Sequence, residues 1–228
     1  MQQWTVEDSA DLYGIRNWGS GYFDISPKGE VVVRPFGREG GPEVSIPEII
    51  SELKARGYDL PVLLRIENIL DSQISLIHQT FRAAISTLGY KSDYRGVFPI
   101  KVNQQQQVVE KIAQYGAAYH HGLEVGSKAE LIAGISQLKS REACLICNGY
   151  KDEEFIDLGL HALSMGFNVI FVLEMPGELD IILKESERLN IKPQIGVRVK
   201  LSTKASGHWS ESGGERSAFG LTSAQIID

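Results

Sequence analysis

The chain has 228 residues, of which 43% are hydrophobic and 23% charged, a composition typical of a soluble globular protein that can bury a sizeable core. Its 29 acidic and 23 basic residues leave a net charge of −6, and no run of lysine or arginine gives the electrostatic footprint of a nucleic-acid-binding protein. The longest apolar stretches are too short to span a bilayer, and the N-terminus lacks the basic start and apolar run of a signal peptide. We therefore expect a cytoplasmic protein with no membrane or nucleic-acid partner.

Residues 1–59 are predicted to form an N-terminal segment with a β-hairpin and one short helix. Two strands, residues 22–25 and 30–34, flank a turn that contains proline and glycine, which is the pattern of a hairpin. A helix is predicted at residues 46–56, because Pro47 near its start fits the preference of the first helical turn for proline.

From residue 60 onward, strands and helices alternate regularly. The predicted strands cover residues 61–66, 96–102, 121–125, 144–147, 169–173 and 195–201. The predicted helices cover residues 70–88, 103–115 (with Asn103 as the capping residue), 128–138, 153–165 and 177–189. Such alternation implies parallel strands joined by right-handed crossovers.

An open doubly wound sheet and a (β/α)8 barrel both fit this alternation. The doubly wound sheet often has a glycine-rich turn after its first strand, whereas the strand at 61–66 is followed by Glu67 and Asn68. We therefore predict an α/β fold in which residues 60–228 form a partial (β/α)8 TIM-like barrel. Six strands do not close an eight-stranded cylinder, and the last residues lie within a predicted helix, so we expect an incomplete barrel from a longer chain, poorly stable alone.

The two cysteines, Cys144 and Cys147, form a C-x-x-C pattern inside a continuous apolar run. On a strand, positions three apart point to opposite faces, so the pair is not placed to chelate one metal ion. We interpret both as small core residues and assign no metal ligands and no disulfide.

Three charged residues stand at predicted strands of the barrel: Lys101, Glu124 and Arg198. In a (β/α)8 barrel, the carboxyl ends of the strands carry the active site, and a partly desolvated lysine there can act as a nucleophilic amine. The alternatives are a lysine that extends into solvent, or a set of charges that pair with one another. The positions alone leave these alternatives open.

Four longer blocks resemble the biosynthetic arginine decarboxylases, a family of pyridoxal-phosphate (PLP)-dependent enzymes. They are GVFPIKVNQ at 96–104, LEVGSKAEL at 123–131, CNGYKD at 147–152 and SGGERSAFGL at 212–221. The resemblance extends from Trp4 to the end of the chain.

This resemblance implies the alanine-racemase type of barrel and the decarboxylation of L-arginine to agmatine in putrescine and spermidine biosynthesis. It implies that Lys101 holds PLP as a Schiff base, that Glu124 and Arg198 lie beside the cofactor ring, and that Glu130 supports that wall from its helix. It also implies a magnesium requirement and a homo-oligomer whose subunits complete each other's sites. Members of the family are more than twice as long, so we expect the chain to be an N-terminal part that is inactive by itself.

Two other functions remain open at the level of sequence. The protein could decarboxylate another basic amino acid or diaminopimelate, because the residues that select the substrate are expected beyond residue 228. It could also be a non-catalytic PLP-binding protein that regulates a true decarboxylase.

Overall fold

A computed structural model describes residues 3–37, 42–200 and 217–227. The chain forms two compact units, residues 1–77 and 78–228, and the division falls within one long helix, α4 (Glu67–Leu88). The boundary predicted between residues 59 and 60 therefore stays a prediction. Among the described residues, no helix is long and apolar enough to cross a membrane.

The first unit contains a small antiparallel sheet. Its elements are α1 (Val6–Leu12), α2 (Ile15–Trp18), β1 (Phe23–Ile25), β2 (Val31–Val33), β3 (Val44–Ser45) and α3 (Ile46–Ala55). The predicted hairpin is confirmed, since β1 pairs antiparallel with β2, and β3 adds a third strand. The sequence analysis missed α1, which begins at a capping box between Thr5 and Asp8, two short polar side chains that satisfy the first amides of the helix.

The second unit contains a parallel sheet of five strands in the order β4-β5-β6-β7-β8. The strands are β4 (Val97–Pro99), β5 (Gly122–Val125), β6 (Cys144–Cys147), β7 (Asn168–Leu173) and β8 (Ile195–Val197). The helices are α5 (Gln106–Gly116), α6 (Lys128–Gln137), α7 (Glu153–Ser164), α8 (Glu178–Leu189) and α9 (Ser223–Ile227). Each strand pairs with the next one along the chain, so the strand order never reverses. This is the order of a (β/α) barrel wall, whereas a doubly wound sheet reverses its order at a switch point.

The two faces of the parallel sheet differ in burial. One face carries fully buried apolar side chains, namely Leu123, Val125, Leu145, Cys147, Val169 and Phe171. Neighbouring residues on the same strands point to the opposite face, where Glu124, Ile146 and Val172 lie. The core is therefore on one side of the sheet, and the other side is available for polar groups.

The strand predicted at residues 61–66 is wrong: the structure has no strand there, and Leu63 is 74% exposed. An apolar run becomes a strand only where a neighbouring strand accepts its backbone hydrogen bonds, and no strand of the described sheets pairs with this one.

The strand predicted at 96–102 ends earlier than expected, at Pro99, and a 3₁₀ turn (Ile100–Val102) follows. Proline has no backbone N–H to continue the ladder, which explains the early end. Asn103 does not cap the next helix as predicted, since the N-cap residue is Gln105. Helix α5 begins at Gln106, and the Asn103 side chain instead accepts a hydrogen bond of 3.2 Å from the backbone N–H of Gln105.

The strand predicted at 195–201 is shorter in the structure, where β8 ends at Val197 and Val199 forms an isolated parallel bridge with Leu221. Residue 201 lies outside the described residues.

Both cysteines lie on β6 as free thiols, and burial raises the pKa of Cys147 to about 12. That thiol is therefore a neutral core group at physiological pH.

Candidate active site

A row of polar side chains lies at the carboxyl ends of the parallel strands, either within the last residues of a strand or just after it. They are Lys101, Glu124, Asn148, Glu174 and Arg198, one for each of the five strands. Because neighbouring strands are parallel, their carboxyl ends meet at the same edge of the sheet, and these residues converge there although they are far apart in sequence.

An open pocket of about 520 Å³ lies at this edge. It is lined by Val97, Pro99, Lys101, Glu124, Ile146, Asn148, Val172 and Arg198. The structure therefore brings together three of the four residues that the sequence analysis proposed for the site, on a floor of apolar strand side chains.

Lys101 stands in the 3₁₀ turn after β4, whose first residue, Ile100, is buried and anchors the turn. The Lys101 side chain is 67% exposed, and its Nζ lies 3.7 Å from Glu124 Oε1. The partial burial expected for this lysine is therefore not observed, because the strand ends two residues before it. The amine instead faces the pocket with a carboxylate beside it.

Glu124 is the second charged group of the pocket, on β5, and its side chain is only 8% exposed. The amide Nδ2 of Asn148 donates a hydrogen bond of 3.1 Å to Glu124 Oε1, the same oxygen that lies near Lys101. A buried carboxylate needs such partners to offset its desolvation. Asn148 is in turn fixed by its backbone N–H, which donates to the carbonyl of Val125 at 2.9 Å.

Arg198, directly after β8, is paired with a carboxylate that the sequence analysis did not consider. Its Nη1 lies 3.3 Å from Glu174 Oε1 and 3.2 Å from Glu174 Oε2. The guanidinium also lies 5.4 Å from the centre of the Phe219 ring. Arg198 is thus held at the pocket wall by charge and by an aromatic face.

Glu130 is not among the residues that line the pocket. It lies in the first turn of α6, where its Oε2 accepts a hydrogen bond of 2.7 Å from the backbone N–H of Gly126. Its Oε1 accepts a second hydrogen bond of 2.8 Å from the amide of Gln104. Glu130 therefore connects the turn after β5 to the segment after Lys101, and its predicted contribution to the cofactor site stays a prediction.

The sequence analysis missed Asn148 and Glu174 as members of this cluster. Both carry the signal that identified Lys101, since each directly follows a buried apolar strand in a parallel pattern. The signal that identifies both is a polar residue placed directly after a predicted strand, even where the strand itself contains no charge.

Comparison with known proteins defines the class. Residues 74–228 match the family described as "Pyridoxal-dependent decarboxylase, pyridoxal binding domain", and the chain belongs to this family. Within the family it is similar to biosynthetic arginine decarboxylases, which confirms the resemblance seen in the sequence. The enzyme of Prochlorococcus marinus (strain MIT 9303) is 44% identical over 99% of this chain and 35% of its own length. That of Phocaeicola vulgatus is 44% identical over 100% of this chain and 36% of its own length.

Solved structures agree with this assignment. The crystal structure of the biosynthetic arginine decarboxylase from Campylobacter jejuni has a TM-score of 0.80 and 34% identity, covering 94% of this chain and 34% of that one. A diaminopimelate decarboxylase from Helicobacter pylori has a TM-score of 0.59 at 18% identity, covering 78% of this chain and 41% of that one, and shows the fold alone. The predicted alanine-racemase type of α/β fold is confirmed. The chain spans about a third of the length of the curated relatives it matches.

Proposed function

We propose that this chain contributes the PLP-binding part of an enzyme that decarboxylates L-arginine to agmatine and carbon dioxide, in polyamine biosynthesis. The observation that carries the proposal is the pocket in which Lys101, Glu124 and Arg198 meet at the strand ends of a pyridoxal-dependent decarboxylase fold. Similarity to arginine decarboxylases over the whole chain supports arginine as the substrate.

The residues of the pocket fit PLP by their chemistry. The cofactor has an aldehyde that condenses with a lysine amine, and its anionic groups pair with a guanidinium. Of the described residues that line the pocket, Lys101 supplies an accessible amine and Arg198 a guanidinium. When bound, PLP supplies an electron sink for the carbanion that remains after carbon dioxide leaves.

We assign the following roles to the residues of this chain. Lys101 binds the cofactor covalently through Nζ. Glu124, at 3.7 Å, orients that nitrogen, while Asn148 holds the Glu124 carboxylate in place. Arg198 stabilises negative charge on the cofactor from the opposite end of the row of strands.

The magnesium requirement that the resemblance implies stays a prediction. Across residues 3–37, 42–200 and 217–227, no three His, Cys, Asp or Glu side chains converge in a group that could hold a metal ion, so we assign no magnesium ligands there. A homo-oligomer of the whole protein is part of the proposal and is tested by its sedimentation, and the cytoplasmic location stays a prediction.

The covalent role of Lys101 is tested by reducing the PLP-loaded whole protein with borohydride and mapping the labelled peptide. We expect the label on Lys101, and we expect Lys101→Ala to lose both the label and the release of carbon dioxide from L-arginine. Lys184→Ala is the matched control, because Lys184 is an exposed lysine that pairs with Glu153 on the surface, and it should retain both. A Lys101→Ala variant that still releases carbon dioxide at a near-normal rate would contradict the proposal.

The alternative functions are separated by a substrate panel on the same whole protein. Carbon dioxide release is measured with L-arginine, L-lysine, L-ornithine and diaminopimelate. Preference for L-arginine supports the proposal. Preference for another substrate would show that the protein is a decarboxylase of that amino acid instead. A protein that binds PLP on Lys101 but releases carbon dioxide from none of them is the non-catalytic PLP-binding protein.

A further inference from the structure

Glu174 is a buried carboxylate behind the pocket. It directly follows β7 and is 1% exposed. Besides Arg198, its carboxylate accepts a hydrogen bond of 3.1 Å from the backbone N–H of Gly149. A carboxylate so far from water is stable only with partners of this kind, so its contact with Arg198 belongs to the structure of the site and is not an incidental surface pair.

The backbone of Glu174 is fixed independently of Arg198. Its N–H donates a hydrogen bond of 2.7 Å to Glu178 Oε2, and its carbonyl accepts one of 3.0 Å from the N–H of Gly220. Glu178 is itself buried and pairs with Lys151 Nζ at 3.2 Å. Glu174 is therefore the rigid member of its pair, whereas the Arg198 side chain is 51% exposed and has room to move.

A second contact restrains Arg198 from the chain after the strand. Leu221 donates a backbone hydrogen bond of 2.7 Å to the Arg198 carbonyl, and Gly220 lies so close that an added Cβ would stand 3.2 Å from Arg198 Cγ. Phe219 presents its ring to the guanidinium. Among the described residues, the carboxylate that pairs with the charged end of Arg198 is that of Glu174.

The charges of the site divide into two pairs. Among the described residues that line the pocket, Lys101 and Arg198 are the cations and Glu124 is the carboxylate. Glu124 stands on β5 and Arg198 directly after β8, three strands further along the sheet, so each cation has a carboxylate of its own. Glu174 supplies the negative charge for Arg198 from behind the wall.

We propose that Glu174 is a positioning residue of this site: it holds Arg198 at the pocket wall, where the guanidinium can pair with an anionic group of PLP. The proposal rests on the proposed function, in that Lys101 and Arg198 are taken as the groups that bind PLP. Glu174 contacts neither PLP nor substrate in this scheme, and it acts through Arg198.

The test is a double-mutant cycle in the whole protein, with the PLP dissociation constant measured by titrating the absorbance of the bound cofactor. A charge-assisted hydrogen bond contributes roughly ten- to a hundredfold in binding, so Glu174→Gln should weaken PLP binding at least about tenfold. Glu174→Asp, which retains the charge, should recover part of this loss. In an Arg198→Gln background, Glu174→Gln should change the dissociation constant by less than about threefold, because the residue through which it acts is gone.

A second readout distinguishes positioning from a general loss of structure. Because Arg198 is then no longer held at the pocket wall, Glu174→Gln should shift the pH at which the absorbance band of the cofactor on Lys101 changes, in the same direction as Arg198→Gln does. The matched control is Glu185→Gln, which breaks another buried glutamate–arginine pair, with Arg188, on α8 away from the pocket. It should lower the free energy of unfolding but leave the dissociation constant and the band unchanged.

Two results overturn the inference while leaving the proposed function intact. One is a normal dissociation constant and band in Glu174→Gln, and the other is an equal loss of PLP binding in the wild-type and Arg198→Gln backgrounds. If the unmutated protein forms no absorbance band with PLP at all, the proposed function itself fails, and the inference fails with it.

Discussion

His78 and His121 share a hydrogen bond of 2.9 Å between Nε2 and Nδ1, at the end of the parallel sheet opposite to the candidate site. Tyr94 and Tyr119 pack against the His78 ring, which is buried, and His121 is half-buried beside it. Burial lowers the pKa of His121 to about 4, with a smaller contribution from His78. Burial, with help from Arg82, also lowers the pKa of His78. The pair is therefore neutral at physiological pH.

A lowered pKa makes the stability of the second unit dependent on pH. In the unfolded chain a histidine binds its proton at a pKa of about 6.5, whereas folded His121 does so only at about 4. The stabilisation is complete above pH 6.5 or so and is lost as the pH falls toward 4. At about 1.4 kcal/mol for each pKa unit, His121 accounts for a loss of about 3 kcal/mol, which urea unfolding at a series of pH values measures.

The matched variant for this prediction is His121→Asn, whose side-chain amide can either donate or accept a hydrogen bond in place of Nδ1 but does not titrate. We expect its free energy of unfolding to fall less steeply between pH 6.5 and 4 than that of the unmutated chain. An unchanged slope would mean that other groups, such as the carboxylates, cause the acid sensitivity.

Among the elements, the contact between β5 and β6 depends on a glycine. A Cβ added to Gly122 would stand 2.0 Å from the carbonyl oxygen of Cys144 and 3.0 Å or less from two further backbone atoms of that residue. Backbone atoms in the middle of a sheet cannot move aside without breaking the ladder. Gly122→Ala should therefore lower the free energy of unfolding by about 3 kcal/mol or more, as measured in urea.

Gly177→Ala is the control for Gly122→Ala. Gly177 caps α8 with a negative φ, and an added Cβ there would meet no atom within 4 Å. Gly177→Ala should lower the free energy of unfolding by about 1 kcal/mol or less, because only the preference of the helix N-cap for glycine over alanine is lost. Similar losses in both variants would contradict the steric explanation.

The predictability of an element from sequence follows from where its stabilising contacts lie. Helix α4 was predicted because the apolar spacing of a helix repeats within the segment itself. The prediction of a strand at 61–66 was wrong because a strand depends on hydrogen-bond partners that its own residues do not encode. The end of β4 lies between these cases, since Pro99 is visible in the sequence but its consequence depends on the neighbouring strand β5.

For the molecule as a whole, the exposed outer strand β8 is a site at which chains can associate. In the described sheet β4 and β8 are the outer strands, and Ile195 and Val197 on β8 are 39% and 44% exposed. No other described strand pairs with the outer edge of β8, and an apolar edge of this kind offers a second chain a place to pair. We expect the 228-residue chain to self-associate at micromolar concentrations, so that sedimentation gives a mass above the 25.2 kDa of one chain.

A charge on this strand should reduce the association. Val197→Lys places an ammonium group among the apolar side chains of β8, which is how natural edge strands avoid pairing, and the average mass should move toward that of one chain. Leu88→Lys is the control, because Leu88 is 81% exposed but lies at the end of a helix. Equal effects of the two variants would indicate that general solubility, and not strand pairing, controls the association.

By itself, the sequence determined the alternation of strands and helices, the parallel sheet and the presence of Lys101, Glu124 and Arg198 at strand ends, because each of these depends on local periodicity or on position along one strand. Only the tertiary structure decided which charges pair. Lys101 lies beside Glu124, and Arg198 beside Glu174, because parallel strands bring residues that are more than twenty positions apart to one edge of the sheet. Pairing depends on distances between separate strands, and the pattern within any one strand does not specify them.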